Sequence, residues 1–228
     1  MEPAQIMIKV GDFGSITALL YQADKKNRAG ITLILGHGAG ANQQSSFMRL
    51  VSRGLAARGL DVVTFNFLYS EKGRGAPDPK AKLELCYQSI IDAVRGHAKL
   101  KRNKLAIGGK SMGGRIASQV AASLPQDLLG LVFLGYPLHA PGRPEQLRDA
   151  HLPDVKSPML FVQGSKDAFG TPAELKQVFK RLKLKATLFE IETGDHSFKV
   201  LKSIGLTQDQ ILEGIMDEVA RWLSALTS

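Results

Sequence analysis

A chain of 228 residues, 44% of them hydrophobic, is long enough to bury one large core and suits a single domain spanning residues 1–228. The net charge of +9, from 30 Lys and Arg against 21 Asp and Glu, raises the question of an acidic partner. The basic residues are scattered and few aromatics interleave with them, which argues against nucleic acid and for solvated faces. No stretch reaches the ~20 apolar residues of a membrane span, the N-terminus lacks the pattern of an export signal, and the lone Cys86 cannot form an internal disulfide. These features read together as an unexported, cytoplasmic protein.

In chain order, Ile6 to Val10 and Ile16 to Tyr21 are short β-prone runs around Gly11-Asp12-Phe13-Gly14, predicting an antiparallel pair. Lys25-Lys26-Asn27-Arg28 reads as a hairpin loop. Ile31 to Leu35 is wholly apolar, as in a strand covered on both faces, and runs into the loop Gly36-His37-Gly38-Ala39-Gly40-Ala41-Asn42. Phe47, Leu50, Val51 and Leu55 recur at helical spacing, closed by Arg58-Gly59, and Val62 to Phe65 is the next strand. A helix opened by Pro79 points Leu83, Cys86, Tyr87, Ile90 and Val94 inward. After Leu105 to Ile107 comes a helix with Ile116, Ala117, Val120, Ala121 and Leu124 on one face. Leu131 to Leu134, Met159 to Val162 and Thr187 to Ile191 are later strands. Leu175, Val178, Phe179 and Leu182 mark one further helix, and Ile211, Ile215, Val219, Trp222 and Leu226 the last. Strands alternating with helices predict an α/β fold with a mostly parallel sheet and helices on both faces.

Where the period changes from strand to helix stands Gly109-Lys110-Ser111-Met112-Gly113. This is G-x-S-x-G, the pattern of a nucleophile elbow: glycines two positions either side of the serine leave room for a sharp turn that lifts its hydroxyl above the sheet. Gly109-Lys110-Ser111 also imitates the end of a phosphate-binding loop, but Lys104 stands where that motif requires its first glycine.

A serine hydroxyl needs a base and a group to orient that base. In a parallel sheet the loops at the C-terminal strand ends meet, which brings Gly164-Ser165-Lys166-Asp167 and Gly194-Asp195-His196 toward Ser111. His196 is the candidate base and Asp167 its orienting acid, with neighbouring Asp195 the rival. The N–H groups of Met112 and Ala39 are candidates for an oxyanion hole, and His37 reads as a structural part of its glycine loop. Arg74, Arg115, His139 and Arg143 are candidates for binding a carboxylate or phosphate of the substrate, provided their loops converge. His97, His139 and His151 lack ligand spacing, so neither a metal nor any other cofactor is expected.

The order Ser111, Asp167, His196 within this strand pattern resembles the α/β-hydrolase superfamily over nearly the whole chain, and the compact size resembles its dienelactone-hydrolase-like branch. Three stretches carry a narrower resemblance: Asn66-Phe67-Leu68-Tyr69 with Glu71, Gly73, Arg74, Pro77 and Asp78; Gly109 to Arg115; and Tyr136-Pro137-Leu138-His139 through Pro141-Gly142-Arg143-Pro144 to Arg148, His151 and Leu152. They are similar to the small hydrolase family typified by testis-expressed protein 30. The resemblance implies a Ser-Asp-His hydrolase fold without naming a substrate; the residues themselves read as a serine hydrolase whose partner is a small-molecule ester or related acyl compound. Ser111 stands where dienelactone hydrolases carry cysteine, so lactone specificity does not carry over. Too few residues separate Leu134 from Met159 for a helical lid, which predicts an open site. Acyl transfer to another acceptor, or a binding and scaffold role on the same fold, are the alternatives.

Overall fold

The structure, a computed structural model, describes residues 2–123 and 127–227. The apolar runs become β1 (Ala4–Lys9), β2 (Ser15–Tyr21), β3 (Ile31–Gly36), β4 (Asp61–Phe65), β5 (Lys104–Lys110), β6 (Gly130–Leu134), β7 (Met159–Gly164) and β8 (Ala186–Ile191). They form one sheet in the order β1-β2-β4-β3-β5-β6-β7-β8. Strand β2 is antiparallel to both neighbours, and every other pairing is parallel. The helices are α1 (Ser46–Ala57), α2 (Leu68–Glu71), α3 (Lys80–Gly96), α4 (Met112–Ser123), α5 (Pro172–Leu182) and α6 (Gln208–Ala225).

Successive side chains of a strand face opposite ways, so an unbroken apolar run supplies two cores. Leu131, Phe133, Met159 and Phe161 join the core under α3, α4 and α5. Val132, Leu134, Leu160 and Val162, their chain neighbours, join the core under α1 and α6. Between β6 and β7 there is no α-helix, only loops, the Ala140–Arg143 bridge and one short 3-10 turn at Leu152–Asp154. The site beyond the strand ends is therefore left without a lid.

Two expectations need amending. Lys25 to Arg28 is not a hairpin loop, because β4 lies between β2 and β3. Instead the connection is tied across the start of β4, where buried Asp61 accepts from Ala23 N at 3.1 Å, Arg28 Nε at 2.7 Å and Asn103 Nδ2 at 2.8 Å. Leu50 is on the outer side of α1, and Met48 takes the inward place. Leu124 lies outside the described residues. Cys86 is buried on α3, and burial pushes its thiol up to about 11, which keeps it protonated and unreactive.

Tyr87 reaches from α3 to the centre of the sheet just below the Ser111 turn. Its hydroxyl lies 2.5 Å from Gly108 O and 3.1 Å from Ile34 O, and it accepts from Gly108 N at 3.0 Å. Replacing Tyr87 by Phe removes the hydroxyl that is hydrogen-bonded to Gly108 and Ile34 in the buried centre of the sheet. Urea denaturation should show Tyr87→Phe less stable by about 1–3 kcal/mol, and an unchanged midpoint would contradict this account.

Candidate active site

The C-terminal ends of β3 and β5 are in register, Gly36 opposite Gly109, and α4 starts directly over them. A Cβ on Gly109 would stand 2.3 Å from Gly36 O, and one on Gly113 would stand 2.2 Å from the same atom. Both positions admit only hydrogen because strand, turn and helix pass within contact of the β3 backbone. Ser111 takes the turn itself at φ 50°, a left-handed conformation that is strained for a side-chain-bearing residue. Its backbone is held in place by Ser111 N donating to Leu134 O at 3.1 Å and by Arg115 N donating to Ser111 O at 3.1 Å.

The loops after β7 and β8 converge on that hydroxyl. His196 Nε2 lies 2.8 Å from Ser111 Oγ, and His196 Nδ1 lies 2.7 Å from Asp167 Oδ2. Asp167 is buried and also accepts from Gln163 Nε2 at 2.9 Å and from Phe169 N at 2.8 Å. With donors surrounding its two oxygens, the carboxylate faces Nδ1 as an acceptor, so that nitrogen carries the imidazole proton and Nε2 presents its lone pair to the serine. Asp195 is turned away: its Oδ1 accepts from Ser197 N at 2.7 Å and Lys199 N at 2.9 Å and shapes its own loop. The Phe169 ring packs against His196 with centroids 4.2 Å apart, limiting the imidazole's freedom.

Two residues that escaped the sequence reading complete this arrangement. Gln163, buried on β7, accepts from Tyr136 N at 2.8 Å and donates to Gly170 O at 2.7 Å, fixing both ends of the Asp167 loop. A glutamine closing an otherwise apolar strand was the available signal. Lys110, the residue before the serine, donates to His196 O at 2.6 Å and lies over the Phe198 ring at 5.2 Å. Burial lowers its pKa to about 8, against the opposing pull of Asp167 and Asp195.

Ser111, Met112 and Ala39 line one pocket of about 340 Å³. The N–H groups of Met112 and Ala39 donate to no acceptor among the described residues. His37 is buried beneath, its Nδ1 2.8 Å from Gly38 O and its Nε2 accepting from Phe67 N at 3.2 Å, while burial lowers its pKa to about 4. It therefore stays neutral and ties the glycine loop to the exit of β4.

The four anion-binding candidates do not converge. Arg115 lines the pocket. Arg74 is exposed and held by Asp78 at 2.7 Å, so the acid, not the arginine, reaches the wall. The buried His139 ring is captured by Glu174 at 3.2 Å, and Glu174 itself completes the capping box of α5. Arg143 is exposed in the turn of its bridge with Ala140. In their place the loop between β6 and β7 brings Arg148 to the pocket, its N–H bonded to Leu138 O at 2.7 Å and its carbonyl accepting from Tyr136 Oη at 2.8 Å. No cluster of three or more His, Cys, Asp and Glu side chains suited to a metal is found among the described residues.

Solved structures share the fold. A lidless α/β serine hydrolase from Xanthomonas campestris superposes with a TM-score of 0.74 at 21% identity, over 97% of this chain and 95% of that one. Dienelactone hydrolase from Anabaena variabilis gives 0.73 at 20% identity, over 97% of each chain. An esterase domain from Rhodothermus marinus gives 0.73 at 14% identity, over 99% of each. The family model for the alpha/beta hydrolase domain matches residues 29–224, from β3 through α6. With that match across most of its length, and with the strand order and lidless build described above, the chain belongs to the alpha/beta hydrolase domain family.

Proposed function

We propose that this protein is a serine hydrolase that cleaves esters or related acyl compounds through an acyl-enzyme, with Ser111, His196 and Asp167 as its triad. The single observation that carries this reading is the unbroken chain of contacts from Ser111 Oγ to His196 Nε2 at 2.8 Å and from His196 Nδ1 to Asp167 Oδ2 at 2.7 Å. Esterase and serine hydrolase activities among proteins of the same fold support it. The narrower kinship with the testis-expressed protein 30-like hydrolases, and a cytoplasmic setting that keeps Cys86 reduced, belong to the same proposal.

In this mechanism Ser111 Oγ attacks the substrate carbonyl while its proton passes to His196 Nε2. Asp167 stabilises the imidazolium, and the N–H groups of Met112 and Ala39 hold the developing oxyanion. Collapse of the tetrahedral adduct breaks the bond to the leaving alkoxide, which takes the proton from His196. Water then attacks the acyl-Ser111 ester, gives a proton to His196, and the acid departs as Ser111 recovers its own. Lys110 and Phe169 hold the His196 loop and ring through these transfers. An open pocket at Ser111 counts against a purely scaffolding role, in which the site would be filled.

A fluorescent fluorophosphonate should label Ser111, located by mass spectrometry, and labelling should vanish in Ser111→Ala and His196→Ala. Asp167→Asn should lower kcat/KM on a short-chain ester by about 10³–10⁴-fold, since it leaves His196 in the wrong tautomer. Absence of labelling in a well-folded protein would refute the hydrolase reading, and product analysis with added alcohols separates hydrolysis from acyl transfer.

Lys110 makes a separate prediction. Its pKa is about 8 in the folded chain against an ordinary 10.5, so between these values the unfolded chain binds more protons. Stability therefore rises with pH through that window as the cost of burying the ammonium disappears. The difference in melting temperature between wild type and Lys110→Met should shift in favour of the wild type between about pH 8 and pH 10.5. A difference independent of pH would show that Lys110 is not buried as a charge.

A further inference from the structure

The pocket in front of Ser111 carries an uncompensated positive charge. Arg28, Arg58, Arg115 and Arg148 are the partly buried arginines among the described residues. Arg28 is neutralised by Asp61 at 2.5 Å, and Arg58 by Glu213 at 2.5 Å and Asp217 at 2.7 Å. Arg115 and Arg148 form no ion pair among the described residues, and both line the pocket. Withdrawing a guanidinium from water without an acid is costly, and two together cost more because each repels the other. Burial and the Arg148 charge both push the Arg115 pKa down.

The donors of these side chains are unspent. Arg115 Nε is buried with no hydrogen-bond partner, and Arg148 Nη1 meets only Pro137 O at 3.5 Å. Nearby carboxylates do not pair with these arginines. Asp149, adjacent to Arg148, bonds Arg181; on the pocket wall Asp78 gives one oxygen, Oδ1, to Arg74 at 2.7 Å and lies through it 3.7 Å from Lys82, while its buried Oδ2 has no hydrogen-bond partner and forms no ion pair with Arg115 or Arg148. Glu84, whose charge acts on Arg115 in the opposite sense, lies 3.4 Å from Lys80, another basic wall residue. His151 adds no charge at neutral pH: it lies 2.7 Å from Ser118 Oγ, and burial holds its pKa at about 4.

We propose that Arg115 and Arg148 form an anion subsite, and that the acyl substrate carries a carboxylate or phosphate a short spacer away from the carbonyl that Ser111 attacks. Planar guanidinium forks match the oxygens of either group and replace the missing acid. Arg115 stands one turn beyond Ser111, about 6 Å of helix rise, which suits a spacer of a few carbons. The identity of the substrate rests on the serine hydrolase reading, whereas the anion subsite itself does not.

Two measurements keep these apart. Calorimetry on Ser111→Ala protein with glutarate and with inorganic phosphate reads the subsite without turnover. Binding should weaken at least tenfold on adding Arg115→Gln or Arg148→Gln, with Arg148→Lys recovering part of it, and the anion that binds assigns the chemistry. Failure of both anions to bind, or binding indifferent to both substitutions, overturns the subsite; thermal melts verify folding, and Arg148 alone decides if Arg115→Gln does not fold. In kinetics, the ratio of kcat/KM for monomethyl glutarate (or, if phosphate is the anion bound, a phosphorylated ester) to that for methyl pentanoate should exceed one and fall at least tenfold in the arginine variants. Hydrolysis of both esters at equal rates overturns the substrate class but not the enzyme. Anion binding in a protein whose Ser111 never reacts with fluorophosphonate overturns the enzyme and leaves the subsite standing.

Discussion

Everything at the site depends on how closely α4 passes over the end of β3. The contact is backbone to backbone: Gly113 lies against Gly36 with space for a hydrogen and nothing larger. That approach forces Ser111 into a left-handed turn, and the turn directs its hydroxyl out of the sheet toward the loops that follow β7 and β8. The strain is sustained because Tyr87 below and Leu134 O beside it fix the same backbone. A looser packing would relax the turn and separate Ser111 from His196.

The sheet supplies the rest of the convergence. Parallel strands in register end at one level, so segments far apart in sequence deliver side chains to a common rim. Asp167 reaches that rim on a loop clamped by Gln163, and His196 on a loop clamped by Lys110. Both clamps are buried or partly buried polar side chains that donate to backbone carbonyls, Gln163 to Gly170 O and Lys110 to His196 O. Such groups position a loop well because any displacement leaves a desolvated donor unpaired.

The charge at the pocket comes from two elements, α4 and the segment between β6 and β7. The short segment between β6 and β7 is tied down by Tyr136, His139 and Asp149 and presents Arg148 to the pocket. Arg115 on α4 lines the same pocket, and among the described residues no acid forms an ion pair with either arginine. In the proposed subsite, an entering anion balances that charge.

The sequence by itself determined the alternation of strands and helices, because continuous apolar runs and 3.6-residue periodicity are local properties. It also determined the Ser111 turn, since glycines at 109 and 113 are needed by local backbone geometry, and it named Asp167 and His196 from their places after successive strands. Its hairpin over Lys25 to Arg28 failed because strand neighbours are set by β4 inserting between β2 and β3, which no local signal records. The clamps Gln163 and Lys110, and the placing of Arg148 in the same pocket as Arg115, were decided only by tertiary structure. Each depends on which side chain meets which across long chain separations. Arg74 and His139 show the converse: both carry the right chemistry, and the fold spends them on Asp78 and Glu174.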